Sequence, residues 1–116
     1  MLFRIDLASD LPLYAQVATA VRAEVTAGRL SAGDRLPSAR EVAGALGVNL
    51  HTVLHAYQTL RDEGLVDLRR GRGAVVTESA RHFAELNDDI ARLVERGRAL
   101  GLSPDTLAAL VKEAAR

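Results

Sequence analysis

Five stretches of the chain repeat apolar residues at three- and four-residue spacing, and one alternates apolar with polar positions; these patterns predict five helical stretches and a strand pair. Leu13, Val17, Ala20, Val21 and Val25 form the first helical stripe. Asp10 or Leu11 stands near its cap, Pro12 falls in its first turn where a missing N–H costs nothing, and Gly28 stops it. Residues 1–9 read as a loose lead or a short extended arm. Ser31-Ala32-Gly33-Asp34 is a turn, and Arg35-Leu36-Pro37 is long enough for a single extended bridge only. Ser38 followed three residues later by Glu41 is a capping box; the helix it opens carries Val42, Ala43 and Leu46 inward and ends at Gly47. Asn49 is an N-cap for a third helix with Val53, Ala56, Tyr57 and Leu60 on one face, running to about Gly64. Residues off that stripe, Leu50, His51, Thr52, Leu54 and His55, are free to face outward.

Leu65-Val66-Asp67-Leu68-Arg69 alternates as a half-buried strand does, Arg70-Gly71-Arg72-Gly73 is a hairpin turn, and Ala74-Val75-Val76-Thr77 returns as the second strand. A further helix starts at Glu78-Ser79. Its Phe83, Leu86, Ile90, Leu93, Gly97 and Leu100 are spaced three, four, three, four and three apart, the a/d seam of helices that pair. Gly97 either permits close backbone approach or weakens the helix. After Gly101, Ser103 caps and Pro104 opens a last short helix with Leu107, Leu110, Val111 and Ala114 on its apolar face.

Two helices joined by a tight Gly-containing turn are a helix-turn-helix, and the basic hairpin behind it is a wing. The expected fold is therefore mainly α with a small β-hairpin: a winged helix-turn-helix over residues 1–78, and two C-terminal helices in a tail over 79–116. The tail is too short to enclose its own core. Its seam, Phe83, Leu86, Ile90, Leu93, Gly97 and Leu100 with Leu107 and Leu110, points to a homodimer; folding back on the winged helix as ordinary core is the other reading.

Charge and composition narrow the function. The 15 basic and 15 acidic residues cancel, which argues against a nonspecific polyanion binder, but phosphate contact needs local positive charge only, and Arg69, Arg70 and Arg72 cluster at the hairpin. Cysteine is absent, so neither a disulfide framework nor a thiolate zinc site is possible. His51 and His55 lie four apart without the acid of a zincin pair, and no metal or cofactor is expected beyond an unidentified small-molecule effector. No nucleophile–base pair, carboxylate pair or phosphate loop stands out, so an enzyme is not expected. No apolar run could cross a membrane and no secretory pattern opens the chain, from which a cytoplasmic location is expected.

The residues that carry a resemblance are Leu13-Tyr14-Ala15-Gln16, Gly33-Asp34-Arg35-Leu36-Pro37-Ser38-Ala39-Arg40-Glu41, Gly47-Val48-Asn49, Thr52-Val53, Ala56-Tyr57, Leu60, Glu63-Gly64-Leu65 and Arg70-Gly71-Arg72-Gly73. Over residues 13–77 the chain resembles the winged-helix domain of the GntR family of bacterial transcription regulators, and the short tail resembles its YtrA-type subgroup. The resemblance implies a homodimeric regulator, most often a repressor, that binds double-stranded DNA at an inverted-repeat operator. It also implies DNA contacts at Arg40, Asn49, Leu50, His51, Thr52 and the wing around Arg70, Gly71 and Arg72, with Arg35 a further candidate. Ser38 and His55 complete the candidate set. Leu50 departs from the family pattern, in which many relatives carry a basic residue; it either touches a thymine methyl or lies idle. For Arg40 the alternative is an ion pair with Glu41 or Asp34, for Asn49 capping alone, and for His55 a solvated surface position. The competing function is a winged-helix module that docks on a protein and has no specific affinity for DNA.

Overall fold

The computed structural model describes residues 4–71 and 73–116. In chain order it has α1 (Leu13–Thr26), α2 (Ala39–Leu46), α3 (Leu50–Asp62), β1 (Val66–Arg69), β2 (Gly73–Val76), α4 (Ala80–Glu85), α5 (Asn87–Ala99) and α6 (Pro104–Ala114). They form two compact units, Met1–Ala84 and Glu85–Arg116.

The first unit closes around one core. Val17, Val21 and Val25 of α1 meet Val53, Ala56 and Leu60 of α3, with Val42 and Ala43 of α2 and Leu65, Val66 and Val76 of the hairpin completing it. Each large side chain so buried contributes about 1.5–3 kcal/mol relative to exposure. The strands pair antiparallel, Val66 opposite Val76 through to Arg69 opposite Gly73. The segment before α2 joins the sheet edge as one bridge, Arg35 to Val75, flanked by Leu36 N–H donating to Ala74 O (2.9 Å) and Val76 N–H to Asp34 O (2.8 Å). It goes no further because Pro37 has no N–H to offer. Across the far side, Arg22 of α1 grips the Glu63 carboxylate at the end of α3 through Nε (2.9 Å) and Nη2.

Three local expectations are corrected. Pro12 is the N-cap residue of α1 and lies outside the helix proper, because its extended backbone (ψ 149°) precedes the first helical residue. The lead is tied down from Asp6: the buried Gln16 accepts from Asp6 N–H (2.6 Å) and donates to Asp6 O (3.0 Å) and Leu11 O (2.9 Å). The single helix expected from Ser79 to Leu100 is two, α4 and α5, interrupted at Leu86. Phe83 of α4 packs against the first unit's core.

In the second unit α5 and α6 are joined at Gly101 (φ 77°). Gly97 is buried there, and a Cβ added to it would lie 3.1 Å from Leu107 Cδ2. Close approach is the role Gly97 serves. Among the described residues no helix is long and apolar enough to cross a membrane.

Candidate nucleic-acid interface

The start of α2, the turn after it and the start of α3 are built by local capping. Ser38 Oγ accepts from Glu41 N–H (3.1 Å) and donates to Glu41 Oε1 (3.2 Å), closing the box on side chains of the first turn. Gly47 takes φ 68°, a left-handed conformation that favours glycine, and so reverses the chain within two residues. Asn49 Oδ1 accepts from His51 N–H (2.8 Å). That uses its oxygen only; its side-chain NH2 bonds no described residue and remains a donor at the surface. His51 is exposed beside it, and Thr52 is half-buried.

Leu50 does not face outward as expected. It is partly buried and packs against the core, which accounts for an apolar residue at the head of this helix. Leu54, one turn on, is exposed. His55 is exposed yet not simply solvated: its ring stacks on Tyr14 of α1, centroids 3.7 Å apart and 13° from parallel.

Arg40 lies in the first turn of α2, exposed, with no ion pair to any described residue. Both carboxylates expected to compete for it are engaged elsewhere. Asp34 accepts from Ser31 N–H (2.8 Å), and Glu41 holds Ser38. Arg35 is exposed at its bridge to Val75. At the hairpin, Arg69 reaches its own strand's Asp67 (3.4 Å), whereas Arg70 pairs with no described residue and Gly71 is exposed at φ 80°. Arg72 lies outside the described residues.

One positioning residue was not visible as such in the sequence. Tyr57, assigned there only to the apolar stripe, donates its hydroxyl to Pro37 O (2.6 Å) and so ties α3 to the residue preceding the α2 cap. Burial, and then the nearby Glu41 charge, push its ionisation well above the ordinary phenol value. A long-range partner 20 residues away leaves no local signal.

In the second unit Ile90, Leu93 and Val94 of α5, Leu100 just after it, and Leu110 and Val111 of α6 are exposed, as is Leu86 before them. Ile90, Leu93 and Val94 line one side of an open apolar groove of about 560 Å³, with Leu107, Ala108 and Val111 on the other. Of the eight seam candidates, Phe83 faces the first unit's core, and Gly97 and Leu107 face each other.

Residues 13–76 match the family described as bacterial regulatory proteins, gntR family. The HTH-type transcriptional repressor YtrA of Bacillus subtilis is 36% identical over 80 residues, covering 69% of this chain and 62% of that protein. The structure of YtrA from Sulfolobus acidocaldarius, a GntR-family transcription factor, superposes with a TM-score of 0.63 at 36% identity, over 84% of this chain and 97% of the other. The DNA-binding domain of AraR, solved in complex with operator ORX1, superposes with a TM-score of 0.58 at 28% identity, over 64% of this chain and 92% of that domain. With the helix-turn-helix and hairpin falling inside the matched residues, the chain belongs to the gntR family of DNA-binding transcription regulators and is YtrA-like.

Proposed function

We propose that the protein is a homodimeric repressor that binds an inverted-repeat operator. The head of α3 enters the major groove. His51, Thr52 and the Asn49 amide reach base edges or phosphate there, Arg40 meets the backbone from α2, and the wing at Arg70, Gly71 and Arg72 lies on the flanking backbone or minor groove. Ser38 and Arg35 border this surface. The observation that carries the reading is the unpaired charge of Arg40 and Arg70. Most arginines of the described chain sit against a carboxylate, Arg22 with Glu63, Arg92 with Asp89 and Arg98 with Glu95 among them. An exposed guanidinium without a carboxylate partner is available to a phosphate.

Pairing of two copies through the second unit supports the dimer. A 32-residue unit whose large apolar side chains stay exposed gains stability by burying them against a partner, and a two-fold axis presents the same face on both sides. A dimer places two recognition helices on half-sites about 34 Å or a multiple apart along one face of the duplex. Repression follows the named activity of the Bacillus subtilis relative.

Selection of bound duplexes from a random-sequence pool tests this. The expected product is an inverted repeat with a constant centre-to-centre spacing. Recovery of no duplex above background overturns DNA recognition, and recovery of single half-sites overturns the dimer.

A further inference from the structure

Tyr14, half-buried against the first core, carries an exposed histidine on its ring. His55 is exposed and lies off the apolar stripe of α3. Its ring is nevertheless held flat against Tyr14, near the start of α1, at a centroid distance of 3.7 Å. Neutral aromatic pairs favour offset or edge-to-face arrangements with centroids about 4.5–7 Å apart, since overlapping faces repel through their quadrupoles. A cation over a phenol face is attracted instead. The near-parallel, overlapping geometry therefore suits an imidazolium over the tyrosine ring. Imidazole is the side chain whose charge changes between about pH 5 and 8.

The surroundings leave that charge unneutralised. Leu13 and Tyr14 from α1 and His51, Thr52 and His55 from α3 line one shallow concavity. Its titratable side chains are Tyr14, His51 and His55, and no carboxylate among the described residues lines it. The two histidines are one helical turn apart on the same face, and Thr52 adds a hydroxyl. Two imidazoles and a hydroxyl without an acid make a donor set for an anion. On a helix that enters the major groove, the anion within reach is a backbone phosphate.

We propose that Tyr14 is a positioning residue for DNA binding: it pins His55 as a cation beside His51, and this pair takes an operator phosphate on the α1 side of the recognition helix. The proposal rests on the operator-binding reading above and extends its interface to α1. Binding then takes up a proton, because the phosphate favours the charged imidazole. Affinity then falls as pH rises.

The test uses the full chain and a duplex that it recovers from the random pool, with dissociation constants measured at pH 6 and pH 8 across a salt series. The wild type is expected to bind about tenfold more weakly at pH 8, one proton being released over that interval. His55→Gln removes most of this difference and flattens the salt dependence at pH 6 by about one unit of log–log slope. Tyr14→Leu does the same with His55 still present, and Tyr14→Phe, which keeps the ring, restores the wild-type pH profile. A merely structural tyrosine would lower affinity equally at both pH values. Wild-type pH and salt profiles in His55→Gln overturn the inference alone and leave operator binding standing; this exposed substitution keeps the test decisive if Tyr14→Leu fails to fold. A wild type that recovers no duplex overturns both.

Discussion

The two compact units use the same kind of sequence in opposite ways. In Met1–Ala84 the apolar stripes of α1, α2 and α3 converge, and Val17, Val21, Val53, Leu60 and Leu65 are fully out of water. In Glu85–Arg116 the stripes are as regular, but Leu86 stays 52% exposed and Leu100 63%, and Gly97 is the one buried residue of α5. Both units hold paired and open charges. In α5 Asp89 pairs with Arg92 and Glu95 with Arg98 one turn apart, while Arg96 makes no ion pair among the described residues. The winged unit leaves Arg40 and Arg70 open. Periodicity thus says which face of a helix is apolar and is silent on what covers it. Three helices and a hairpin can enclose a core, and two helices meeting at one glycine cannot.

The largest effect that separates the units is a core truncation. Leu60→Ala is expected to destabilise the winged unit by about 2–5 kcal/mol, through lost burial and the cavity left behind, read as a drop in denaturation midpoint. The same truncation at Leu100 is expected to shift the midpoint only to the extent that the tail is covered by a second copy. Its effect should therefore depend on protein concentration, whereas that of Leu60→Ala should not. Leu86→Asp with Leu93→Asp sharpens the contrast. Two charges on the exposed seam are expected to give monomers by sedimentation while the winged unit still unfolds cooperatively; a persisting dimer places the interface elsewhere.

Smaller effects belong to the open charges. Arg40→Ala with Arg70→Ala is expected to flatten the salt dependence of operator binding by about two units of log–log slope, with no matching loss of stability. Arg92→Ala with Arg98→Ala, whose partners are already in place, should leave the slope unchanged. The smallest effect concerns Tyr57. Tyr57→Phe removes the bond to Pro37 and is expected to cost about 0.5–1.5 kcal/mol. Because burial and Glu41 raise the ionisation of Tyr57 in the folded chain, its contribution is fully present below the unfolded phenol value of about pH 10 and is lost as pH climbs above it. The alkaline fall in stability measured for the wild type should be shallower in Tyr57→Phe.

Much of the winged unit was legible in order and type because its signals are local. Ser38 and Asn49 each accept a backbone N–H two or three residues ahead, as Ser103 does in the second unit, and Gly28, Gly47 and Gly64 take the positive φ that ends a helix. A cap or a glycine stop is decided within one turn, so it can be read from neighbours alone. The same holds for the single bridge at Arg35, which Pro37 limits from its own position. The interruption at Leu86 is the counterexample within the helices: the a/d spacing runs through it without a break.

What only the tertiary structure decided is the set of pairings between residues far apart in the chain. Leu50 leans on the core and His55 lies against Tyr14, though both sit off the stripe that marks the inner face of α3. Tyr57 reaches Pro37, Gln16 holds Asp6 and Leu11, Phe83 turns to the first core, and Gly97 admits Leu107. None of these follows from periodicity, because each depends on where a second element arrives. The chain's own pattern determined which elements form and where they stop, through hydrogen bonds and backbone preferences acting within a turn. The packing of those elements determined which side chains were used up and which were left exposed.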